Sequence, residues 1–358
     1  MTTPLKLMNR TLLLACAPFL GMLVWLLWAG FSLELGSSAY PEAPPAPASA
    51  SAELGAPIAD KLDASQELAN VTADKIRKTA WLYTETGKQM QQLVTLATAQ
   101  SGRPGRIYDR RITLALGTPS KTVQSDKLRA QLFYVRAQHF KGYALKVKLK
   151  EEGAMSMVLG EDRFGGAETT LAAVKRYGAI AGVNAGGFAD QRGSRYPLST
   201  TVMDGQYVNG FEPTFSNLFF VGVNKNRKLV GGNYTTQAEL DRDEPEFGAS
   251  FVPILLKDGV SQTIPAKWAS SPKRAARTVI ANYKDDQLLF LVTDAADESG
   301  RSGATLGELQ LLLRRFGAQD AYNLDGGGSS SLIFDGRIVN APSDGRLRKL
   351  ATHFLFFE

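Results

Sequence analysis

The sequence predicts an α+β protein: a mixed sheet domain with helices packed on it, preceded by a transmembrane helix and a helical stalk. Three observations predict this order. An uncharged apolar run lies near the N-terminus, a heptad-spaced segment follows it, and short apolar strands then alternate with glycine-containing turns. The predicted boundaries are 1–35 for the membrane anchor, 36–57 for a linker, 58–100 for the stalk and 101–358 for the domain.

The N-terminal apolar run extends from Thr11 to Leu33, and Lys6 and Arg10 precede it. It is long enough to span a bilayer, which takes ~20 residues. The positive flank predicts that the N-terminus stays inside and that the rest of the chain lies outside the cytoplasm. We therefore expect a single-pass membrane protein. The alternative is secretion after cleavage, for which sequences such as Ala48-Ser49-Ala50 are suitable.

A linker rich in proline, alanine and serine follows, from Ala39 to Ala56. The next segment has a heptad seam that contains Ile58, Leu62, Ala69, Ile76, Tyr83, Met90, Leu93 and Ala97. Four seam positions are Ser or Thr, and Gly87 interrupts the pattern. A stalk, or a helix packed on the domain, fits this pattern better than a strong coiled coil. Ser101 to Gly105 is predicted to be a second linker.

Composition excludes several classes of function. The chain has 358 residues and a net charge of +6, from 41 basic and 35 acidic residues, without the clustered basic face of a nucleic-acid-binding protein. One cysteine and two histidines, His139 and His353, do not make a Cys/His zinc cluster, and no pattern identifies a cofactor. A nucleotide-binding phosphate loop is disfavoured because no G-x-x-x-x-G-K-[ST] sequence occurs.

The most informative stretch ends in three consecutive glycines. Thr305 and Glu308 have capping-box spacing, and apolar residues then recur at helical spacing up to Gly317, a typical helix-ending residue. Ala321–Leu324 is predicted to be a short buried strand that places Asp325 at its C-terminal end. A glycine run directly after a strand indicates that backbone must approach something closely.

A second stretch of the chain has a similar sequence pattern. Both contain an Arg-aromatic-Gly-Ala helix end, an asparagine six residues after that glycine, and then a glycine cluster. The asparagine is Asn184 in the first unit, and Gly186 and Gly187 follow it. The shared pattern indicates either a degenerate internal duplication or convergence on one local geometry. In both cases the two units would bring Asn184 and Asp325 to one site.

Other segments are predicted from local patterns. Arg111–Leu116, Ala130–Ala137 and Tyr143–Leu149 are expected to be strands, and Phe251–Leu256 is expected to be an edge strand because Pro253 lies inside it. A helix is predicted over Glu168–Tyr177, a buried strand over Gln287–Val292, and a final strand over Thr352–Phe357. Three cations precede the final strand: Arg346, Arg348 and Lys349.

The motif Asn-Leu-Asp-Gly-Gly-Gly-Ser-Ser, with a hydrophobic strand and the Asp335-Gly336 turn after it, resembles the phosphodiester glycosidase family. The resemblance extends from roughly Tyr143 to the C-terminus, and bacterial members of the family are associated with exopolysaccharides. Three features depart from the family pattern. Ala185 stands for a glycine, Ala276 stands for a proline, and a longer acidic loop after Asp294 replaces Asp-Gly-Arg.

The resemblance implies hydrolysis of the bond between a sugar's anomeric carbon and a phosphodiester. An oxocarbenium-like centre needs a carboxylate, for which Asp325 is the first candidate and Asp294 the second. Arg277 is the predicted phosphate ligand because its planar fork matches phosphate oxygens. Asn184 is placed with the catalytic residues, and the other predicted substrate ligands are Thr278, Gly186, Gly187, Gly326, Gly327, Gly328 and Ser329.

Two functions remain open. The first is an extracytoplasmic hydrolase of a carbohydrate phosphodiester in cell-envelope or exopolysaccharide metabolism. The second is a catalytically silent glycan-binding or envelope-assembly module on the same scaffold, in which Asn184 and Asp325 merely cap strand ends and Arg277 is structural. The departures from the family pattern suit the second function, and the intact Asp-Gly-Gly-Gly-Ser-Ser segment suits the first.

Overall fold

The computed structural model of the protein describes residues 50–215, 218–295 and 303–358. The predicted membrane anchor and most of the predicted 36–57 linker lie outside these residues. Within the described ranges, no helix combines the length and the apolar character needed to cross a membrane. The first helix, α1 (Ala50–Ser101), already begins inside the predicted linker, where alanine favours a helix.

The chain divides into two compact units, residues 1–94 and 95–358. In the first unit, the prediction of a helix is confirmed, and the helix continues through Gly87. The polar residues of the seam are accommodated locally, because the hydroxyls of Thr72 and Thr79 donate to the carbonyls of Leu68 and Lys75 one turn earlier. Apolar seam residues such as Ile76 are exposed.

Two predictions near the start of the second unit are wrong. Arg111–Leu116 is not a strand but the end of helix α2 (Arg103–Leu116), and the predicted 101–105 linker is a one-residue break at Gly102. Pro104 lies in the first turn of α2, where proline is tolerated. Ile112 and Leu116, four residues apart, are buried on one face of the helix, so helical periodicity decides the structure of this segment.

The remaining helices are α3 (Thr170–Tyr177), α4 (Gln237–Asp241), α5 (Ala266–Ser270) and α6 (Leu306–Phe316). The strands are β1 (Pro119–Gln124), β2 (Leu128–Arg136), β3 (Lys141–Leu149), β4 (Met155–Leu159), β5 (Ala181–Asn184), β6 (Phe188–Gln191), β7 (Ser194–Pro197), β8 (Val202–Met203), β9 (Gln206–Tyr207), β10 (Phe219–Asn224), β11 (Leu229–Gly232), β12 (Pro245–Phe251), β13 (Ile254–Lys257), β14 (Val260–Ser261), β15 (Arg277–Asn282), β16 (Leu288–Thr293), β17 (Ala321–Leu324), β18 (Leu332–Phe334), β19 (Arg337–Ile338) and β20 (Thr352–Phe356).

These strands form three larger sheets and one hairpin. The large sheet has the order β1-β2-β3-β16-β15-β17-β13-β14. The second sheet has the order β11-β10-β12-β8-β9, the third has the order β19-β18-β5-β20-β4, and β6 pairs with β7 alone. The α+β class is confirmed. The sheets were expected to be mixed, but every ladder among the described strands is antiparallel, as in β15 with β16 and β17.

The large sheet is buried on both faces, which explains why β16 is an unbroken apolar run. Phe290 and Val292 face the core shared by the three sheets, whereas Leu289 and Leu291 face the second core, which contains residues of α2 and α6. This alternation follows from the two-residue period of a strand. The same alternation places successive side chains of β15 on opposite faces of the large sheet. Only the side chains on one face can reach the other sheets.

The two units that echo each other in sequence also fold alike. Gly178 and Gly317 adopt the left-handed conformation after α3 and α6, and each donates its amide to the carbonyl three residues earlier. A short buried strand follows in both units, β5 in the third sheet and β17 in the large one. The capping box of Thr305 and Glu308 is present as predicted. Two glycine loops therefore start from equivalent strand ends.

The predicted strand over Phe251–Leu256 is instead divided. β12 ends at Phe251 and β13 starts at Ile254, because Pro253 has no amide to continue a ladder. The two carbonyls at the break are used by a single residue. Asn323 donates its side-chain amide to Val252 at 2.6 Å and its backbone amide to Pro253 at 3.2 Å. The break thus fixes β17, the strand that carries Asp325.

A buried ion pair attaches α2 to the large sheet. Lys146 on β3 is 2% exposed, and its ammonium donates to Asp109 Oδ1 on α2 at 2.6 Å. Asp109 also accepts from Arg129 at 3.2 Å and from Gln287 at 3.0 Å. Burial lowers the pKa of Lys146, so the ammonium depends on the carboxylate to remain charged at this position.

We predict that Asp109→Ala lowers the free energy of unfolding by about 3 kcal/mol, because it leaves the Lys146 charge buried without its partner. Urea denaturation of the full-length protein measures this loss. Asp126→Ala, at an exposed aspartate, is the matched control. A loss below about 1 kcal/mol for Asp109→Ala would contradict the proposed role of the pair.

Candidate active site

The three ionic candidates from the sequence lie at one edge of the large sheet. β16 and β17 both run antiparallel to β15, so their C-terminal ends meet at the start of β15. Asp294 follows β16, Asp325 follows β17, and Arg277 is the first residue of β15. The edge therefore gathers these residues, but their side chains point to different surroundings.

Asn184 joins the two glycine loops. Its side-chain amide donates to the carbonyl of Asp325 at 2.6 Å. Its side-chain oxygen accepts from the hydroxyl of Thr278 at 2.9 Å and from the amide of Ser331 at 3.0 Å. The amide of Asp325 in turn donates to the carbonyl of Ala185 at 3.4 Å. Asn184 is fully buried, and its carboxamide connects the two glycine loops through these hydrogen bonds.

A chain of buried polar groups extends from this asparagine. The hydroxyls of Ser331 and Thr170 are 2.6 Å apart, and Thr170 lies 3.1 Å from Nδ1 of His353. Complete burial lowers the pKa of His353 to about 3, so its ring is neutral at physiological pH. The Thr278 hydroxyl is also 3.2 Å from that of Ser330. These groups link three strand ends and stabilise the loop that carries the three glycines.

The glycine loops are shaped by close packing. Gly327 has a φ of 57°, a backbone conformation that other residues rarely adopt. Its amide donates to the carbonyl of Ala276, and the amide of Gly326 donates to Oδ1 of Asp325, so these two amides are already engaged. Gly186 and Gly187 pack on Ala249 to Phe251, where a side chain at either position would collide. These two glycines therefore allow the first glycine loop to pack closely against β12.

The carboxyl of Asp325 has a strongly perturbed pKa. Burial raises the pKa of its carboxyl to about 6. Hydrogen bonds from the Ser329 side chain and the Gly326 amide act in the opposite direction, as do the charges of Arg348 and Arg195. The carboxyl is thus ionised in most molecules at pH 7 but protonates in mild acid. Perturbed acids of this kind concentrate at functional sites.

Arg277 has different surroundings from Asp325. It faces the second core, on the side of β15 opposite to Thr278. Its guanidinium donates to the carbonyls of Pro272, at 2.7 Å, and Ala304, at 3.4 Å. Burial is the only cause that lowers its pKa, and no carboxylate of the described chain pairs with it. Arg277 therefore holds two loops rather than contacting Asp325.

Asp294 is buried, and its Oδ1 accepts from the amide of Ala341 at 2.8 Å. This bond ties the segment after β19 to the end of β16. Asp294 lies at the end of β16, as the sequence predicts. Its carboxylate stabilises the loop that contains Ala341.

A cleft of about 800 Å³ that is rich in cations lies beside the site, and the charges of two of its lining residues, Arg195 and Arg348, lower the pKa of Asp325. Its lining includes Arg195, Arg346, Arg348 and Lys349, together with Asp190 and Asp344. Arg348 lies 2.7 Å from Asp344 and donates to the Ser329 hydroxyl at 3.4 Å. Arg195 lies 2.9 Å from Asp190, stacks over Phe188 and donates to the carbonyl of Lys349.

Sequence reasoning did not select Arg195 and Arg348 as ligands. The three cations before the final strand were a signal for Arg348, because a cluster of basic side chains suits an anionic substrate. Arg195 had no such signal, since only the hairpin of β6 and β7 brings it to the cleft. Gly328 permits the approach of Arg348, because a methyl group there would collide with both Arg348 and Asp344.

Comparison with known proteins identifies the family. The phosphodiester glycosidase family profile matches residues 177–357, half of the chain. The chain belongs to the phosphodiester glycosidase family. The family match includes both glycine loops, Asp325 and the cationic segment.

Similar curated proteins include two members of this family from mammals. The chain is 34% identical over 70 residues to the N-acetylglucosamine-1-phosphodiester alpha-N-acetylglucosaminidase of Mus musculus, covering 20% of this chain and 13% of that protein. It is 26% identical over 137 residues to the same enzyme of Bos taurus, covering 34% and 26%. It is 26% identical over 189 residues to the SPbeta prophage-derived protein YomE of Bacillus subtilis, covering 50% and 28%. The chain thus spans at most about a quarter of these relatives.

Among solved structures, the auto-inhibited catalytic domain of the zebrafish N-acetylglucosamine-1-phosphodiester alpha-N-acetylglucosaminidase is similar in fold. The TM-score is 0.53 at 20% sequence identity, and the similarity covers 68% of this chain and 87% of that domain. The two chains therefore share a fold over about two thirds of this chain.

We predict that Asn184→Asp lowers the free energy of unfolding by about 3 kcal/mol at pH 7. The substitution keeps the shape, but it places a carboxylate against the carbonyl of Asp325 and removes the donor. Urea denaturation is the measurement, with Asn226→Asp, at an exposed position, as control. Equal stability of the two variants would show that the Asn184 bonds do not hold the loops.

Proposed function

We propose that this protein is an extracytoplasmic hydrolase that cleaves a sugar-1-phosphodiester, in cell-envelope or exopolysaccharide metabolism. One observation carries the proposal: a partly buried carboxylate, Asp325, lies close enough to Arg195 and Arg348, which line a cleft, for their charges to lower its pKa. A glycosidic bond to phosphate needs one carboxylate at the sugar and cations at the phosphate. Membership of the phosphodiester glycosidase family supports the same chemistry.

In this proposal, Asp325 acts at the anomeric carbon. As the bond to the phosphate oxygen breaks, positive charge develops on the sugar ring, and an ionised carboxylate nearby stabilises it. The carboxylate serves either as nucleophile or as the base that activates water. A pKa of about 6 leaves the group ionised at neutral pH and basic enough to accept a proton.

Arg195 and Arg348 bind the phosphate and stabilise its departure. In this proposal Arg195 and Arg348, rather than Arg277, bind the phosphate, because their charges are the ones that lower the pKa of Asp325. Each is oriented by an acid, Asp190 or Asp344, so little side-chain freedom is lost when substrate binds. A phosphate is a good leaving group, so strong acid catalysis is not required.

The remaining predicted residues position the reacting groups. Asn184 and Thr278 fix the backbone of Asp325 through their hydrogen bonds. Ser329 connects the Asp325 carboxylate to Arg348, and Gly328 leaves room for that guanidinium. Asp294 supports the adjoining loop. The membrane anchor predicted from residues 11–33 would hold this cleft outside the cytoplasm.

A glycan-binding module that does not hydrolyse its ligand is the competing function. Ala276 and the altered loop after Asp294 favour it, because both depart from the family pattern. The two functions differ in what Asp325 does. In a silent module the carboxylate would only cap the glycine loop, whereas in an enzyme its charge is required for turnover.

We predict that Asp325→Asn lowers kcat/KM on a model sugar-1-phosphodiester by ~10²-fold or more, because the substitution keeps the shape and removes the charge. Release of the phosphate-linked group by the full-length protein is the measurement. Asp335→Asn is the control, since Asp335 is an exposed aspartate paired with Lys121.

Wild-type turnover by folded Asp325→Asn would remove Asp325 from the mechanism. Absence of turnover by the wild-type protein on any sugar phosphodiester, together with measurable polysaccharide binding, would favour the silent module.

A further inference from the structure

The four cations of the cleft fall into two classes. Arg195 and Arg348 are each paired with an acid and lie close enough to Asp325 to lower its pKa. Arg346 and Lys349 line the same cleft, but their side chains are exposed and have no ionic or hydrogen-bonding partner in the described part of the chain. The first pair suffices for one phosphate, so the second pair needs another explanation.

The cleft is larger than one sugar-phosphate unit requires. Its volume of about 800 Å³ lies near the upper end of the ~300–1,000 Å³ range of sites that enclose a drug-sized ligand. Space is therefore available beside the unit that Arg195, Arg348 and Asp325 would hold.

Within the described ranges, the side chains of the cleft lining also leave two of its cations without an acidic partner. Four cations and two carboxylates, Asp190 and Asp344, line the cleft. Arg346 and Lys349 lie on either side of Arg348 in the sequence, so their charges add to the same positive field. A second anion would give these two cations a partner, because Arg346 would offer it a planar fork and Lys349 a mobile ammonium.

We propose that Arg346 and Lys349 form a second phosphate subsite, and that the substrate is a glycan with consecutive phosphodiester-linked sugars. This inference rests on the proposed function, since the first phosphate is the one cleaved beside Asp325. Hydrolysis would proceed along a repeating sugar-phosphate chain, with the next phosphate held at the second subsite. Exposed cations at that subsite can follow a flexible chain better than a closed pocket.

The test compares two synthetic substrates of the same sugar, one with a single sugar-1-phosphodiester and one with two consecutive ones. We expect the wild-type full-length protein to show a KM about tenfold lower for the two-phosphate substrate, a typical effect of one additional charge-assisted contact. Arg346→Ala/Lys349→Ala should abolish this difference and leave kcat/KM on the one-phosphate substrate within about twofold.

The control is Lys127→Ala/Lys225→Ala, which removes the same net charge from exposed lysines outside the cleft lining. It should retain the preference for two phosphates. The proposal is overturned if the wild-type protein does not distinguish the two substrates, or if the Arg346 and Lys349 variant loses activity on both equally.

Binding separates this proposal from the proposed function. If the wild-type protein cleaves neither substrate, the hydrolase proposal fails, and calorimetry with the same two compounds still tests the subsite. Tighter binding of the two-phosphate compound that disappears in Arg346→Ala/Lys349→Ala supports it. Equal binding of an oligogalacturonate of matched charge would contradict a phosphate subsite and indicate a general anion-binding surface.

Discussion

The site depends on the buried carboxamide of Asn184. Its three hydrogen bonds reach Thr278 on the large sheet, Ser331 after the glycine loop and the carbonyl of Asp325. β5 and β17 belong to different sheets, and these contacts connect the end of one strand to the end of the other. A carboxamide suits this task because it donates and accepts at once without carrying charge into the core.

The electrostatics of the cleft follow from this scaffold. Burial raises the pKa of Asp325, while Arg195 and Arg348 restrain the rise, so the carboxyl stays ionised at neutral pH. The two arginines are in turn held by Asp190 and Asp344. In the proposed reaction, cations fixed in place before the substrate arrives would stabilise developing charge without having to reorganise.

Much of the scaffold was predictable because local patterns determine it. The capping box at Thr305, the left-handed Gly317 and the buried β17 all follow from residue type and spacing. The errors arose where tertiary contacts decide. Ile112 and Leu116 pack in the second core on one face of α2, and this packing accompanies the helical periodicity of the segment. Arg195 is brought to the cleft by the hairpin of β6 and β7, and Arg348 by the segment that precedes β20. Arg277 was predicted as a phosphate ligand from the family motif and from the planar fork of its guanidinium, and neither contains information on side-chain direction.

The central claim is that an ionised Asp325, tuned by the cleft arginines, carries out the reaction. The pH dependence of kcat/KM on a sugar-1-phosphodiester tests it most directly, because this profile reports the free enzyme. The account predicts an activity that rises with pH through about 6 as Asp325 loses its proton. In Arg348→Gln the rise should move to higher pH, since removal of the cation raises the pKa of the carboxyl. A rise that is absent, or that stays at the same pH in Arg348→Gln, would contradict the account.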